Sequence, residues 1–197
     1  MTEAKIVHTP IAHHCKLSLE NSPKETNVEH LKQMSTVPYS QSVGSLMYLM
    51  ISTRPNIACT TSLIGRYMAN TGKRHWKATK WIMRYLKGIM SARLLYQQTY
   101  DTKSKLIGYV DSDYAEDLDR RRSLSGHIFL YGSCVLSWKA TLQSVVALST
   151  TEIEGKRIEV LKIHTSNNAS DMLIKAMTQL KLKKYLDIIG FELKDKG

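Results

Sequence analysis

No two of the three cysteines in this chain stand close enough to suggest a pair. Cys15, Cys59 and Cys134 are odd in number and lie outside any C-x-x-C spacing, so neither a disulfide framework nor a zinc site is indicated and reduced packing thiols remain. Long apolar runs are also missing. None approaches the roughly 20 residues of a membrane span, and the opening MTEAKIVHTP has no apolar signal-peptide core, so the expectation is an intracellular chain without membrane contact. Whether it resides in cytoplasm or nucleus is left open. Among hydrolase signatures there is no G-x-S-x-G, and the His13-His14 pair has no carboxylate or cysteine at ligand spacing. Acidic residues are the most telling shortage: 17 Asp and Glu face 28 Lys and Arg, a net charge of +11. Such a surface attracts polyanions, and nucleic acid is the polyanion that charge of this kind usually meets.

With 197 residues and 43% hydrophobic content the chain can bury a core as one domain or two small ones. Residues 1–38 carry Pro10, Pro23 and Pro38 and no sustained period, which reads as an irregular leader adding little core. Residues 39–100 read as helical. Val43, Leu46, Met47 and Met50 recur at i, i+3, i+4, i+7; Pro55 suits the first turn of a helix through Met68; Gly72 precedes a third helix over 73–88. From residue 101 the texture becomes short strand-like runs, Leu106–Val110, Gly126–Tyr131 and Cys134–Trp138, with a hairpin signal at Gly132-Ser133. Ser149-Thr150-Thr151-Glu152 fits a helix capping box, Ile158–Ile163 a further strand, and Ala169 to Leu186 a last helical stretch. The fold class this implies is α/β with a mixed sheet, preceded by a small helical segment.

On the third helix, Lys73, Lys77, Lys80, Arg84 and Lys87 fall at i, i+4, i+7, i+11, i+14 and share one face. A solvated face and a phosphate-tracking surface both account for such a stripe. Trp76 and Trp81 lie beside it, able either to stack bases or to pack inward. Carboxylates carry the other candidate chemistry, because two-metal phosphodiester hydrolysis needs hard oxygen ligands converging on one point. Asp111 ends the apolar run Ile107–Val110, where a strand-end acid is well placed for a ligand; a turn aspartate in Asp111-Ser112-Asp113 is the plain alternative.

The residues around Asp111 add a resemblance. Gly108-Tyr109-Val110-Asp111-Ser112-Asp113-Tyr114-Ala115, Arg122-Ser123-Leu124-Ser125-Gly126-His127-Ile128-Phe129, Ser137-Trp138-Lys139 and Val145-Val146-Ala147-Leu148-Ser149-Thr150-Thr151-Glu152-Ile153-Glu154 resemble the ribonuclease H region of copia-type retrotransposon polyproteins. Upstream, Pro38 to Tyr48, Thr53 to Ala58 and His75-Trp76 through Gly88 are similar to the end of the reverse transcriptase in the same polyproteins. The resemblance implies a ribonuclease H-like fold over 101–197, a reverse-transcriptase tail over 39–100, Mg²⁺ as cofactor and an RNA–DNA hybrid as partner. It places Asp111 as the first metal-binding aspartate, Asp171 as the aspartate that opens the last helix, and either Glu152 or Glu154 as the helix glutamate. Glu154 is favoured, since Glu152 serves the capping box and residues i and i+2 point about 200° apart on a helix.

Two departures shape the expectation. Tyr109-Val110-Asp111-Ser112 lacks the second aspartate of a polymerase Tyr-x-Asp-Asp turn. After Glu154 the chain passes through Gly155-Lys156-Arg157 straight to what resembles the family's last strand, so the strand that carries a further catalytic aspartate is absent. Residues 158–163 are then expected to add to the open edge beside Asp111 as a fourth strand, carrying Asp171 away by about one strand spacing, ~4.8 Å. An exposed apolar flank favouring self-association should remain. Three readings follow: a catalytically defective remnant that binds nucleic acid, an active Mg²⁺-dependent ribonuclease H, or a basic binding module without catalysis.

Overall fold

The computed structural model describes residues 3–12, 15–24, 28–96, 105–113, 119, 122–132, 134–143 and 161–192. The amino-terminal half is helical, in the order the apolar spacing dictates. After α1 (Val28–Ser35) comes α2 (Tyr39–Ser52), which buries Tyr39, Val43 and Leu46. A 3-10 turn over Pro55–Ile57 opens α3 (Ala58–Gly65), where proline suits a position whose N–H has no helical partner. The longest helix, α4 (Lys73–Gly88), buries His75, Ala78, Thr79, Ile82 and Tyr85 along one stripe. Its start is fixed by His75. The buried ring accepts the Gly72 N–H at Nδ1 (2.9 Å), lies 3.2 Å by Nε2 from the Ser18 carbonyl and stacks on Tyr67 at 4.1 Å.

The leader is more structured than its composition suggests. Ile11 and Leu17 are buried, α1 lies within it, and Trp81 donates to the Thr9 carbonyl (2.8 Å), pinning the leader along α4.

Strands β2 (Leu106–Ser112), β3 (Leu124–Tyr131) and β4 (Cys134–Leu142) form an antiparallel meander in the order β2-β3-β4. Gly132 turns the second hairpin at φ 60°, a conformation that favours glycine. A two-residue strand, β1 (Arg93–Leu94), pairs antiparallel with β5 (Phe191–Glu192). The chain is thus a mixture of helices with a three-stranded and a two-stranded sheet.

Helices cover one face of the meander. The last helical stretch, expected to be continuous, is broken: α5 (Asp171–Ile174) ends at Lys175, whose backbone is extended, and α6 (Gln179–Ile188) starts anew with Thr178 accepting the Lys181 N–H. The four residues of α5 contact α3, β2 and β3 and bury Met172, Leu173 and Ile174, each worth about 1.5–3 kcal/mol. Gly126 makes that approach possible, since a Cβ there would lie 2.9 Å from Ile174 Cγ2 and 3.1 Å from Leu173 Cβ. Side chains of the helices and of this sheet face belong to one hydrophobic cluster.

Three sequence expectations change. Strand alternation puts Leu136 on the inner face with Ile107, Tyr109 and Ile128, but a bulge opposite Phe129 and Leu130 shifts the register, burying Val135 and leaving Leu136 57% exposed. Ile128 is buried and Tyr109 half-buried, as that face requires, while Ile107 near the strand's free end is exposed. Residues 161–163 form no strand and are exposed, so they do not extend the sheet beside Asp111; the five strands among the described residues pair only antiparallel. The rest of the segment 158–163 lies outside the described residues.

Candidate functional site

Asp111 sits one residue from the end of β2, opposite Gly126 on β3, on the side of the sheet where α5 packs. The chain returns to this point through Asn168. Its side-chain amide donates to the Val110 carbonyl (3.0 Å) on the edge of β2, and its oxygen accepts from the Ser170 hydroxyl (2.7 Å) and backbone N–H (3.3 Å). This satisfies an edge acceptor that a fourth strand would otherwise have used. Asp171 follows at once, buried to 1% exposure as the first residue of α5.

Asp111 and Asp171 are therefore brought together, not separated by a strand spacing. Lys175 Nζ lies between them, 2.8 Å from Asp111 Oδ2 and 2.7 Å from Asp171 Oδ1. Lys181 Nζ is 2.8 Å from Asp171 Oδ2, to which the Tyr185 hydroxyl also donates (3.2 Å). Asp111 Oδ1 accepts the Ser112 N–H at 2.8 Å. Each of the four carboxylate oxygens thus accepts an N–H, and two ammonium ions balance two carboxylates.

The electrostatics follow. Burial pushes the Asp111 carboxyl up, reinforced by its contact with Asp171 and opposed by Lys175. Burial acts upward on Asp171 too, but its hydrogen bonds with Asp111, Lys175 and Lys181 win and hold it well below the usual carboxylate range. Lys175 is held above the ordinary lysine range, burial being outweighed by its two carboxylate partners. Lys181 is raised mainly by its bond to Asp171. At neutral pH the cluster is three ion pairs, two of which share Lys175.

The described donors do not fit a Mg²⁺ centre. Mg²⁺ takes six oxygens at about 2.0–2.1 Å, whereas these carboxylates are already committed to ammonium and amide donors. No group of three or more His, Cys, Asp and Glu side chains able to hold a metal ion occurs among the described residues. Glu152 and Glu154 lie outside the described residues, as do His13 and His14.

Asp113, the other acid of the sequence motif, is buried and structural. Its Oδ1 accepts the Leu124 N–H (2.7 Å), closing the end of the β2–β3 ladder.

The basic stripe on α4 divides. Lys73, Lys77 and Lys80 are exposed, whereas Arg84 and Lys87 are half-buried and donate to the Lys5 and Ala4 carbonyls of the leader. The indoles accompany them: Lys80 lies over Trp76 (5.8 Å) and Arg84 over Trp81 (5.3 Å). Five cations share the helix face by spacing, but among the described residues the leader carbonyls engage Arg84 and Lys87, and the amino-terminal three face solvent.

Sequence reading missed Lys175, Lys181 and Asn168. The Asp171–Lys175 spacing of four was the available signal, since i, i+4 partners meet on a helix.

The relatives decide the family. Over 154 residues, 78% of the chain, it is 46% identical to the retrovirus-related Pol polyprotein from transposon TNT 1-94 of Nicotiana tabacum. The chain belongs to the copia-type retrotransposon Pol polyproteins. Transposon RE1 of Arabidopsis thaliana has a retrovirus-related Pol polyprotein 31% identical over 93% of the chain. The chain spans about 11% of the length of these two polyproteins. It is also 42% identical, over 61% of its own length and 84% of the relative's, to the secreted RxLR effector protein 161 of Plasmopara viticola. No protein-family model matches the chain, and no solved structure does.

Proposed function

We propose that the chain is a polyprotein remnant of ribonuclease H-like ancestry that binds nucleic acid and does not cleave it. One observation carries the reading: Lys175 and Lys181 take up the oxygens of Asp111 and Asp171 that a divalent cation would need. An ammonium offers charge but no Lewis acidity for activating water, so the cluster holds α5 against β2 and performs no hydrolysis. Binding rests on the +11 net charge and the exposed Lys73, Lys77 and Lys80 of α4.

The purified chain is expected to leave an RNA–DNA hybrid intact in Mg²⁺ or Mn²⁺, to the same extent as an Asp111→Asn, Glu154→Gln double variant. Replacing Lys73, Lys77 and Lys80 by Ala should weaken hybrid binding and flatten its salt dependence by up to about 0.7–0.9 for each phosphate no longer neutralised. An unchanged slope would make the stripe a solvated face. The second reading, an active Mg²⁺-dependent ribonuclease H, draws on the juxtaposition of Asp111 and Asp171. Cleavage that vanishes in the double variant would establish it and end the first.

A further inference from the structure

We propose that the solvent face of the β2–β3–β4 sheet is a stacking platform for the bases of single-stranded nucleic acid, with Phe129 and Tyr131 as its rings and Lys139 as a phosphate-binding cation. This surface is on the opposite side of the sheet from the Asp111 cluster and does not include α4, so it is a second nucleic-acid surface distinct from the α4 lysines of the function proposed above.

The alternation of β3 creates it. Ile128 and Leu130 are buried beneath the sheet, which turns His127, Phe129 and Tyr131 outward on the central strand. Phe129 is 36% and Tyr131 52% exposed. Residues two apart on a strand are separated by about 6.6–6.8 Å. That is about twice the ~3.4 Å rise of stacked bases, so each ring meets one nucleotide of an extended, unstacked strand.

Gly108, beside Phe129 in the ladder, sets the ring's attitude. A Cβ at Gly108 would lie 2.8 Å from Phe129 Cε1 and 3.1 Å from Cδ1. The phenyl group therefore occupies the space over β2 that the glycine leaves, and stays 36% exposed. His127 closes one side, its ring centroid 5.4 Å from that of Phe129.

Charge selects the occupant. Lys139 faces out opposite His127, and the outward positions of the three described strands carry no carboxylate. A second copy of a chain with net charge +11 is repelled, whereas a polyanion is drawn in. A duplex hides its base faces within its own stack. A single strand offers them.

The test is fluorescence anisotropy with a short fluorescein-labelled oligothymidylate, with sedimentation velocity on the same proteins. A Phe129→Ala, Tyr131→Ala double variant should retain its far-ultraviolet circular dichroism and lose at least about tenfold in affinity, with little change in salt slope. Phe129→Trp should restore binding, its added indole fluorescence quenched by the oligonucleotide. Unchanged affinity in the double variant, or an indole in Phe129→Trp that the oligonucleotide does not quench, overturns the proposal. So does a wild-type dimer that dissociates in the double variant, which would assign the face to a second copy. Weaker binding in the α4 lysine variant with the quenching preserved supports the proposal, since it separates the platform from α4.

Discussion

Asp171→Asn isolates the ion-pair cluster with almost no change of volume. Asp171 accepts one charge-assisted hydrogen bond from Lys175 and one from Lys181, each worth about 1.5–3 kcal/mol when its partner stays buried. The amide keeps one oxygen but turns an NH₂ toward an ammonium. The two lysine side chains are 37% and 40% exposed and recover part of their hydration, and Lys175 keeps Asp111, so roughly half the sum survives screening. The expected cost is about 1.5–3 kcal/mol, or a fall of about 3–12 °C in Tm for a chain of this length. Thermal melts followed by circular dichroism read it directly. Because folding depresses the Asp171 pKa, its stabilisation is complete above the ordinary aspartate value of about 3.9 and is lost as pH falls below it. The wild-type and variant melting curves should accordingly approach each other in acid. A variant melting within about 2 °C of wild type at pH 7 would refute the view that the lysines hold α5 in place.

Lys175→Met removes the shared ammonium and leaves two adjacent carboxylates. Mn²⁺ should then raise the variant's Tm while leaving that of wild type unchanged; equal responses would mean that Lys175 does not exclude the cation. His75 is depressed by burial, partly offset by the Ser18 carbonyl and Asp119, so its contribution is full above about pH 6.5 and diminishes as pH falls below it. Urea unfolding between pH 7.5 and 5 should show a steeper loss for wild type than for His75→Gln, and parallel losses would contradict the assignment. Val135→Ala should cost about 2 kcal/mol because the side chain is fully buried, and Leu136→Ser less than about 0.5 kcal/mol. The reverse order in urea titrations would place the β-bulge elsewhere.

The helical half was legible because its core residues repeat at 3.6: Val43 and Leu46 on α2, and Ala78, Ile82 and Tyr85 on α4, are buried where that period places them. The meander was legible from its turn at Gly132 and its three apolar runs. The bulge was not. Val135 and Leu136 are both apolar, and period-two reasoning has no means to choose between neighbours of equal hydropathy. The stripe on α4 shows the same limit in another form, since spacing shows which cations share a face but not that the leader would engage Arg84 and Lys87. Asp111 was legible as an acid ending an apolar run and Asp171 through the family resemblance, whereas Lys175 and Lys181 were not singled out, although Lys175 stands four residues after Asp171.

The pairing of β1 with β5 joins Leu94 to Phe191, so the edge that follows the helical half is completed by residues made about 97 positions later. Ribosomes add about 5–20 residues per second; the helices therefore wait roughly 5–20 s for the strand that completes their edge. Phe191 and Ile189 are buried, with Arg54 of the helical half over the Phe191 ring, and until they arrive their place is open surface. The chain's order of synthesis thus exposes it to aggregation for seconds per molecule. A truncation before Gly190 would make that interval permanent.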